Sequence, residues 1–217
     1  MTSLSAGDDR SADGHPDGRG RQGSAEARED WSDASLLTRA RAGEGAAFRL
    51  LVERHQGAVA AVVVGMLGDG DDADDVGQET FIRFHAALSH FRGDAALSTY
   101  LRRIAMNLSL NLLKRRRRSW LRFVSRDASP HPLNEPAVPP HDMERAERIE
   151  GVTDAVSQLN EKHRAVVVLR LLDGRSTNET AEILELPPGT VMSRLSRGMS
   201  ELKRLLAPYI ENSDDES

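Results

Sequence analysis

Apolar side chains are almost absent from residues 1–30 and then recur at three- and four-residue spacing. Leu36, Leu37, Ala40, Ala47, Leu50 and Leu51 set this helical period. "VAAVVVGML" (59–67) is rich in β-branched residues, which locally favours a strand, but its alanines and helical neighbours favour a buried helix. Ala73, Val76, Phe81, Phe84 and Leu88 mark the next helix, with Asp71 as its expected N-cap and acids in the first turn to match the dipole. "FRGD" (91–94) breaks the pattern. From about Ser98 a further helix puts Leu101, Ile104, Ala105, Leu108 and Leu112 on one stripe. Arg103, Asn107 and Lys114 are expected on its opposite face.

Residues 125–142 hold five prolines within eleven positions and read as a stiff, extended linker. Beyond it, Val152, Ala155, Val156 and Leu159 form one stripe, and Asn160 can cap "EKHRAVVVLRLLDG", which ends at Gly174. "STNE" (176–179) is a capping box that opens a short helix to about Leu184. After the turn "ELPPG", Pro187 or Pro188 can open the last helix. Val191, Leu195, Met199 and Leu202 are its expected buried stripe, with Thr190, Ser193, Arg194 and Arg197 facing outward. Gly198 should weaken this helix by about 1 kcal/mol relative to Ala.

The pattern therefore predicts an all-α fold of two small helical domains joined by a Pro-rich linker, the C-terminal one with a helix-turn-helix. The expected divisions are an acidic N-terminal tail over 1–30, too polar to order itself, a first domain over 31–118, a flexible linker over 119–143, a second domain over 144–210 and an acidic tail over 211–217. Aromatics make up only 4% of the chain, so the core must be aliphatic. Cysteine is absent, which excludes disulfides and thiolate metal sites and fits a reducing, cytoplasmic setting. No apolar run was expected to reach the ~20 residues of a membrane span, and the N-terminus lacks the apolar core of a signal peptide. Without a secretory signal, "NET" (178–180) is a chance match to a glycosylation acceptor. No further domain is expected after the last helix.

Charge changes the picture. The net charge is −5, yet residues 95–126 hold nine Arg or Lys and no acid, while Asp69 to Glu79 holds six acids and no base. Opposite blocks in one small domain point to two different partners. "KRRRRSWLRF" (114–123) interleaves cations with Trp120 and Phe123. Cations suit phosphates and rings suit base faces, the combination that binds single-stranded or distorted nucleic acid. A charge run at a helix end is also often merely solvated. A capped helix, a tight turn and a helix exposing Thr, Ser and two Arg describe a helix-turn-helix, since Arg can fork onto guanine edges or phosphates. An ordinary helical hairpin would share the spacing. The acidic block fits no EF-hand register: counted from Asp72, position 5 is Val76 and position 12 is Arg83. No nucleophilic triad or Gly-rich phosphate loop is present, so no catalytic residue, metal or cofactor is expected. The residues alone leave open a stand-alone helix-turn-helix regulator and a metal-dependent nuclease.

Three blocks in this order resemble the extracytoplasmic-function (ECF) sigma factors, the small promoter-recognition subunits of bacterial RNA polymerase. The resemblance covers about residues 34–207. "MLGDGDDADDVGQETFIRFHAAL" is similar to the family's core-binding helix, "FRGDAALSTYLRRIAMNLSLNLLKRRRR" to the segment that reads the −10 element, and "LNEKHRAVVVLRLLDGRSTNETAEILELPPGTVMSRLSRGMSELKRLL" to the domain that reads the −35 element. It implies that Asp72, Asp74, Asp75, Gln78, Glu79 and Phe81 meet core polymerase at the β′ clamp helices, with the β flap as a further contact. It implies −10 contacts from Phe91, Arg92, Asp94, Thr99, Tyr100, Arg103, Asn107, Lys114, Arg115 and Arg116. It implies −35 contacts from Thr190, Ser193, Arg194 and Arg197. The linker would thread through the polymerase, and an anti-sigma factor is a further partner of such proteins. The chain departs from the family in having Tyr100 where Trp is usual, Leu97 where an aromatic is frequent, Glu185 where Gly is common and Met192 where Lys is common.

Overall fold

The structure is a computed structural model that describes residues 31–91, 96–124 and 143–214. The described residues form helices α1 (Asp33–Arg41), α2 (Gly45–Leu67), α3 (Asp71–Ala87), α4 (Leu97–Val124), α5 (Met143–Gln158), α6 (Glu161–Val167), α7 (Thr177–Leu184) and α8 (Pro188–Asp214). The N-terminal tail, residues 215–217 and the Pro-rich segment 125–142 lie outside the described residues, whereas residues 211–214, expected in the acidic tail, continue α8.

The first unit, α1–α4, closes around Phe84, Leu36, Leu51, Met66, Leu101 and Met106, all fully buried. Burying so many large apolar groups is the main favourable term in a fold this size. The β-branched run 59–67 is helical, as its context favoured, and Val59, Val62 and Val63 join the core. By length and composition alone α2 could cross a membrane, which corrects the expectation that no stretch qualified. Its buried residues Ala47, Leu51, Val59, Val62, Val63 and Met66 face the core that α2 forms with α1, α3 and α4. Asp33 fastens α1 to α2 through Arg54 at 2.7 Å and His55 at 2.8 Å. Burial pushes the Asp33 carboxyl up, but these two partners outweigh it and hold the pKa below its ordinary value. Arg41 ties the end of α3 to α1 by donating to Leu88 O at 3.0 Å and to Phe91 O.

The start of α3 differs from expectation. Gly70, with φ 135°, takes the cap position, and Asp71 is the first helical residue. The approach to α3 needs a backbone conformation that glycine reaches at little cost, and it leaves Asp71, Asp72 and Asp74 in the first turn beside the helix dipole. Helix α4 runs on to Val124, beyond the boundary expected at 118.

In the second unit Asn160 caps α6 by accepting from Lys162 N at 3.0 Å. The expected single helix to Gly174 becomes a π-helical turn over Val168–Leu172, after which Gly174 turns the chain at φ 69°. A π turn widens the helix, a feature that often accompanies a special contact. Here it brings Val168 and Leu169 into the core and puts Asp173 at the boundary with the first unit. Two expected core positions are corrected. Met199 is 43% exposed and Val152 is 40% exposed, whereas Val191 and Leu202 are buried.

The two units share one apolar core rather than standing apart, with α2 against α5 and the π turn and α4 against α7. Gly65 makes this possible. A Cβ there would lie 2.8 Å from Val168 Cγ1. Arg164, 8% exposed, crosses the boundary and donates to Met66 O at 2.8 Å, and burial lowers its pKa. An apolar groove of about 760 Å³ runs along the same boundary, with Val64, Val152 and Leu172 at its rim.

Candidate functional site

Three surfaces carry the sequence-predicted residues. The first is the outer face of α3. Asp74, Asp75 and Gln78 are exposed there, with Asp72, Glu79 and Phe81 half-buried. Buried Ala73, Val76 and Phe84 hold the opposite face in the core, so the 3-4 apolar spacing aims the acids outward. Glu79 accepts from Arg83 Nε at 2.7 Å one turn on, and Asp72 pairs with Arg116 of α4. Residues read as serving two different partners thus touch each other.

The second surface is α4. Asn107, Lys114, Arg115 and Arg116 are exposed, and the basic run lies before the helix end at Val124. Tyr100 is half-buried, its ring centroid 4.9 Å from that of Phe91 and 6.3 Å from that of Phe84. Phe91 and Thr99 are buried, at 9% and 8% exposure. Ring packing around Phe84 holds Phe91 inward, so it supports Tyr100 from beneath. Arg92 and Asp94 lie outside the described residues.

Arg102 and Arg103 show what spacing alone missed. Arg102 is the first cation of the basic excess over residues 95–126, but its side chain is 7% exposed. It forks onto Asp173, with Nε at 2.6 Å and Nη2 at 2.9 Å, and also donates to Ser98 O at 3.2 Å. Arg103 was expected to face outward, yet it donates to Glu182 O at 3.0 Å and lies 3.2 Å from the Glu185 carboxylate. Its Nε is buried without a protein partner. No signal in the sequence separates these neighbours, because their acceptors lie 71 and 79 positions downstream.

The third surface is the helix-turn-helix of α7 and α8. The capping box is complete: Ser176 Oγ accepts from Glu179 N at 3.2 Å, and Glu179 Oε2 accepts from Ser176 N at 2.8 Å. The Ser176 hydrogen bonds, aided by Arg175, hold the Glu179 carboxyl below its ordinary pKa. Glu185 ends α7 in the left-handed conformation at φ 53°, and Pro188 starts α8. Ser193 and Arg197 are exposed on α8, with Thr190 and Arg194 half-exposed, and the Ser193 hydroxyl donates to Thr190 O at 3.0 Å. Ala181 and Val191 pack the two helices together, so the outward face of α8 is held at a fixed angle. Among the described residues no three His, Cys, Asp or Glu side chains converge to hold a metal ion.

A rigid acidic face, a basic helix and a helix-turn-helix on one all-helical chain define a factor that joins a protein partner to DNA. Comparison with known proteins gives that class its identity. Residues 51–119 match Sigma-70 region 2, and residues 149–202 match Sigma-70, region 4. The chain is 34% identical over 187 residues to the RNA polymerase sigma-H factor of Pseudomonas aeruginosa, covering 83% of this chain and 97% of that one. It is 37% identical over 191 residues to the ECF RNA polymerase sigma-E factor of Escherichia coli K12, covering 84% and 98%. Among solved structures it is similar to CnrH in complex with the cytosolic domain of CnrY, at 28% identity and TM-score 0.58 over 80% of this chain and 96% of that one. It shares the fold of RpoE from Bartonella quintana, solved with the anti-sigma factor NepR, at 22% identity and TM-score 0.56 over 73% of this chain and 96% of that one. The chain belongs to the ECF sigma factors of bacterial RNA polymerase. It binds core polymerase and directs promoter recognition and transcription initiation.

Proposed function

We propose that this sigma factor divides its work between the three surfaces just described. The acidic face of α3, centred on Asp74, Asp75 and Gln78, meets core polymerase, where acids complement a basic partner surface. Asn107, Lys114, Arg115 and Arg116 on α4 hold the melted −10 strand, with Tyr100 as a platform for one unstacked base. Extruding a base costs a few kcal/mol, which contacts on this face must offset. Thr190, Ser193, Arg194 and Arg197 on α8 read the −35 major groove. The chain performs no chemistry of its own, acts in the cytoplasm where polymerase and promoter meet, and is open to control by an anti-sigma factor. The observation that carries the reading is that the acids of α3 and the outward face of α8 lie on separate helices, one in each unit.

The test uses two variants of the full chain. Arg194→Ala should weaken binding to −35 duplex DNA by about 1–3 kcal/mol while affinity for core polymerase stays unchanged. Asp75→Lys should do the reverse. Equal loss of both activities in either variant would contradict the separation of surfaces.

A further inference from the structure

Met192 is the most exposed large apolar side chain among the described residues, at 63%. A single exposed apolar residue is ordinary on a protein surface, so its place on α8 decides what it means. Val191 and Leu202 are buried and Gly198 lies against Val167, so these positions mark the side of α8 that meets its own unit. At about 100° per residue, Ser193 points within about 20° of the opposite direction. Thr190 and Met192 flank that direction, each about 80° from it. Met192 is also the fifth residue of α8, in the N-terminal part of the helix that contacts base edges in a helix-turn-helix. The two flanks differ in chemistry. Thr190 carries a hydroxyl, and the Ser193 hydroxyl donates to Thr190 O at 3.0 Å, which leaves Ser193 acceptor lone pairs for a partner. Met192 has no charge for a phosphate and no donor for a base. Its flexible, polarizable thioether suits an apolar contact, and the apolar group that the major groove displays is the thymine C5 methyl.

We propose that Met192 is a specificity residue of the −35 contact, packing against the C5 methyl of one thymine on the side of α8 away from Thr190. The assignment rests on the function proposed above for α8. Arg194 and Arg197 supply the charge that holds the helix on the duplex, whereas Met192 adds discrimination without adding charge. Its effect is that of one methyl group taken out of water, a factor of about three to five in affinity. Because the contact is uncharged, Met192→Ala should leave the salt dependence of binding unchanged, unlike the loss of a cation that neutralises a phosphate.

The experiment uses holoenzyme assembled from the full chain and core polymerase. A −35 duplex is selected from a random-sequence pool, and each of its thymines is replaced singly by deoxyuridine, which removes the methyl and keeps the base pairing. The Kd of every duplex is measured for the parent, Met192→Ala, Met192→Leu and Arg194→Ala. We expect one thymine at which loss of the methyl weakens the parent about three- to fivefold. The same loss should cost Met192→Ala nothing further, while Met192→Leu, which keeps an apolar contact, should respond as the parent does. Arg194→Ala controls for the −35 reading and should weaken binding to the selected duplex itself. If it does so but no thymine separates the parent from Met192→Ala, or the selected duplex has no thymine, the −35 reading stands and the assignment of Met192 is overturned. If no −35 sequence is selected, both are overturned.

Discussion

Gly198 shows how a single position changes meaning once its neighbours are known. By helix propensity it is a weak point, and alanine should improve α8 by about 1 kcal/mol. In the structure a Cβ at Gly198 would lie 2.9 Å from Val167 Cγ2 and 3.4 Å from His163 Cβ. Val167 is buried and β-branched, so it has little freedom to yield. Gly198→Ala is therefore expected to destabilise the chain by about 1 kcal/mol, because overpacking outweighs the gain in propensity. Urea denaturation of the two proteins reads the sign directly, and a more stable variant would show that the contact relaxes. Arg102 carries the same lesson for charge. Its place in a basic run suggested a surface role, yet only the fold reveals Asp173 as its partner. The inward turn of Phe91 depends on Phe84, which spacing cannot orient.

At the scale of elements, α7 was the most legible part of the chain. Ser176 and Glu179 stand three apart before an apolar run, and both reciprocal hydrogen bonds form. Ser176→Ala should cost about 1 kcal/mol in thermal or chemical denaturation. The depressed pKa of Glu179 has a definite sign. Its ionised form is bound more favourably in the folded state, so its contribution is complete above the ordinary value of 4.5 and is lost as pH falls through the lowered folded value. The stability difference between the parent and Glu179→Gln should accordingly narrow as pH falls from 7 to 3, when both are followed by guanidinium denaturation. A difference that held constant to low pH would remove the ionised carboxylate from the cap. The π turn was not legible. "AVVVLRLL" reads as an uninterrupted helix, and the widened turn sets Val168 against Gly65, a residue more than a hundred positions earlier.

For the whole molecule, the apolar period predicted two helical units and the order of their surfaces. It did not predict that they share a core. Local spacing defines which face of a helix is apolar, but not whether that face meets its own unit or another. The Pro-rich linker suggested separation, while Arg164 donating to Met66 O and the Arg102–Asp173 pair join the units at buried points. The asymmetry of charge was visible from the outset, and it survives folding as an acidic face on α3 and a basic run on α4, touching where Asp72 meets Arg116. Because phosphate binding releases counterions, DNA affinity of the holoenzyme should fall as salt rises. Replacing Lys114 and Arg115 with Ala should reduce that salt slope by about one to two units. A filter-binding series over salt concentration checks this.

The central claim is that this chain converts core RNA polymerase into a promoter-specific enzyme. Run-off transcription tests it most directly, with the purified chain, bacterial core polymerase and a pool of promoter fragments from the source genome, against core alone. The account predicts discrete transcripts that appear only when the chain is present and vanish with Arg194→Ala. Binding of DNA by the chain alone, with no transcript from any fragment, would contradict it.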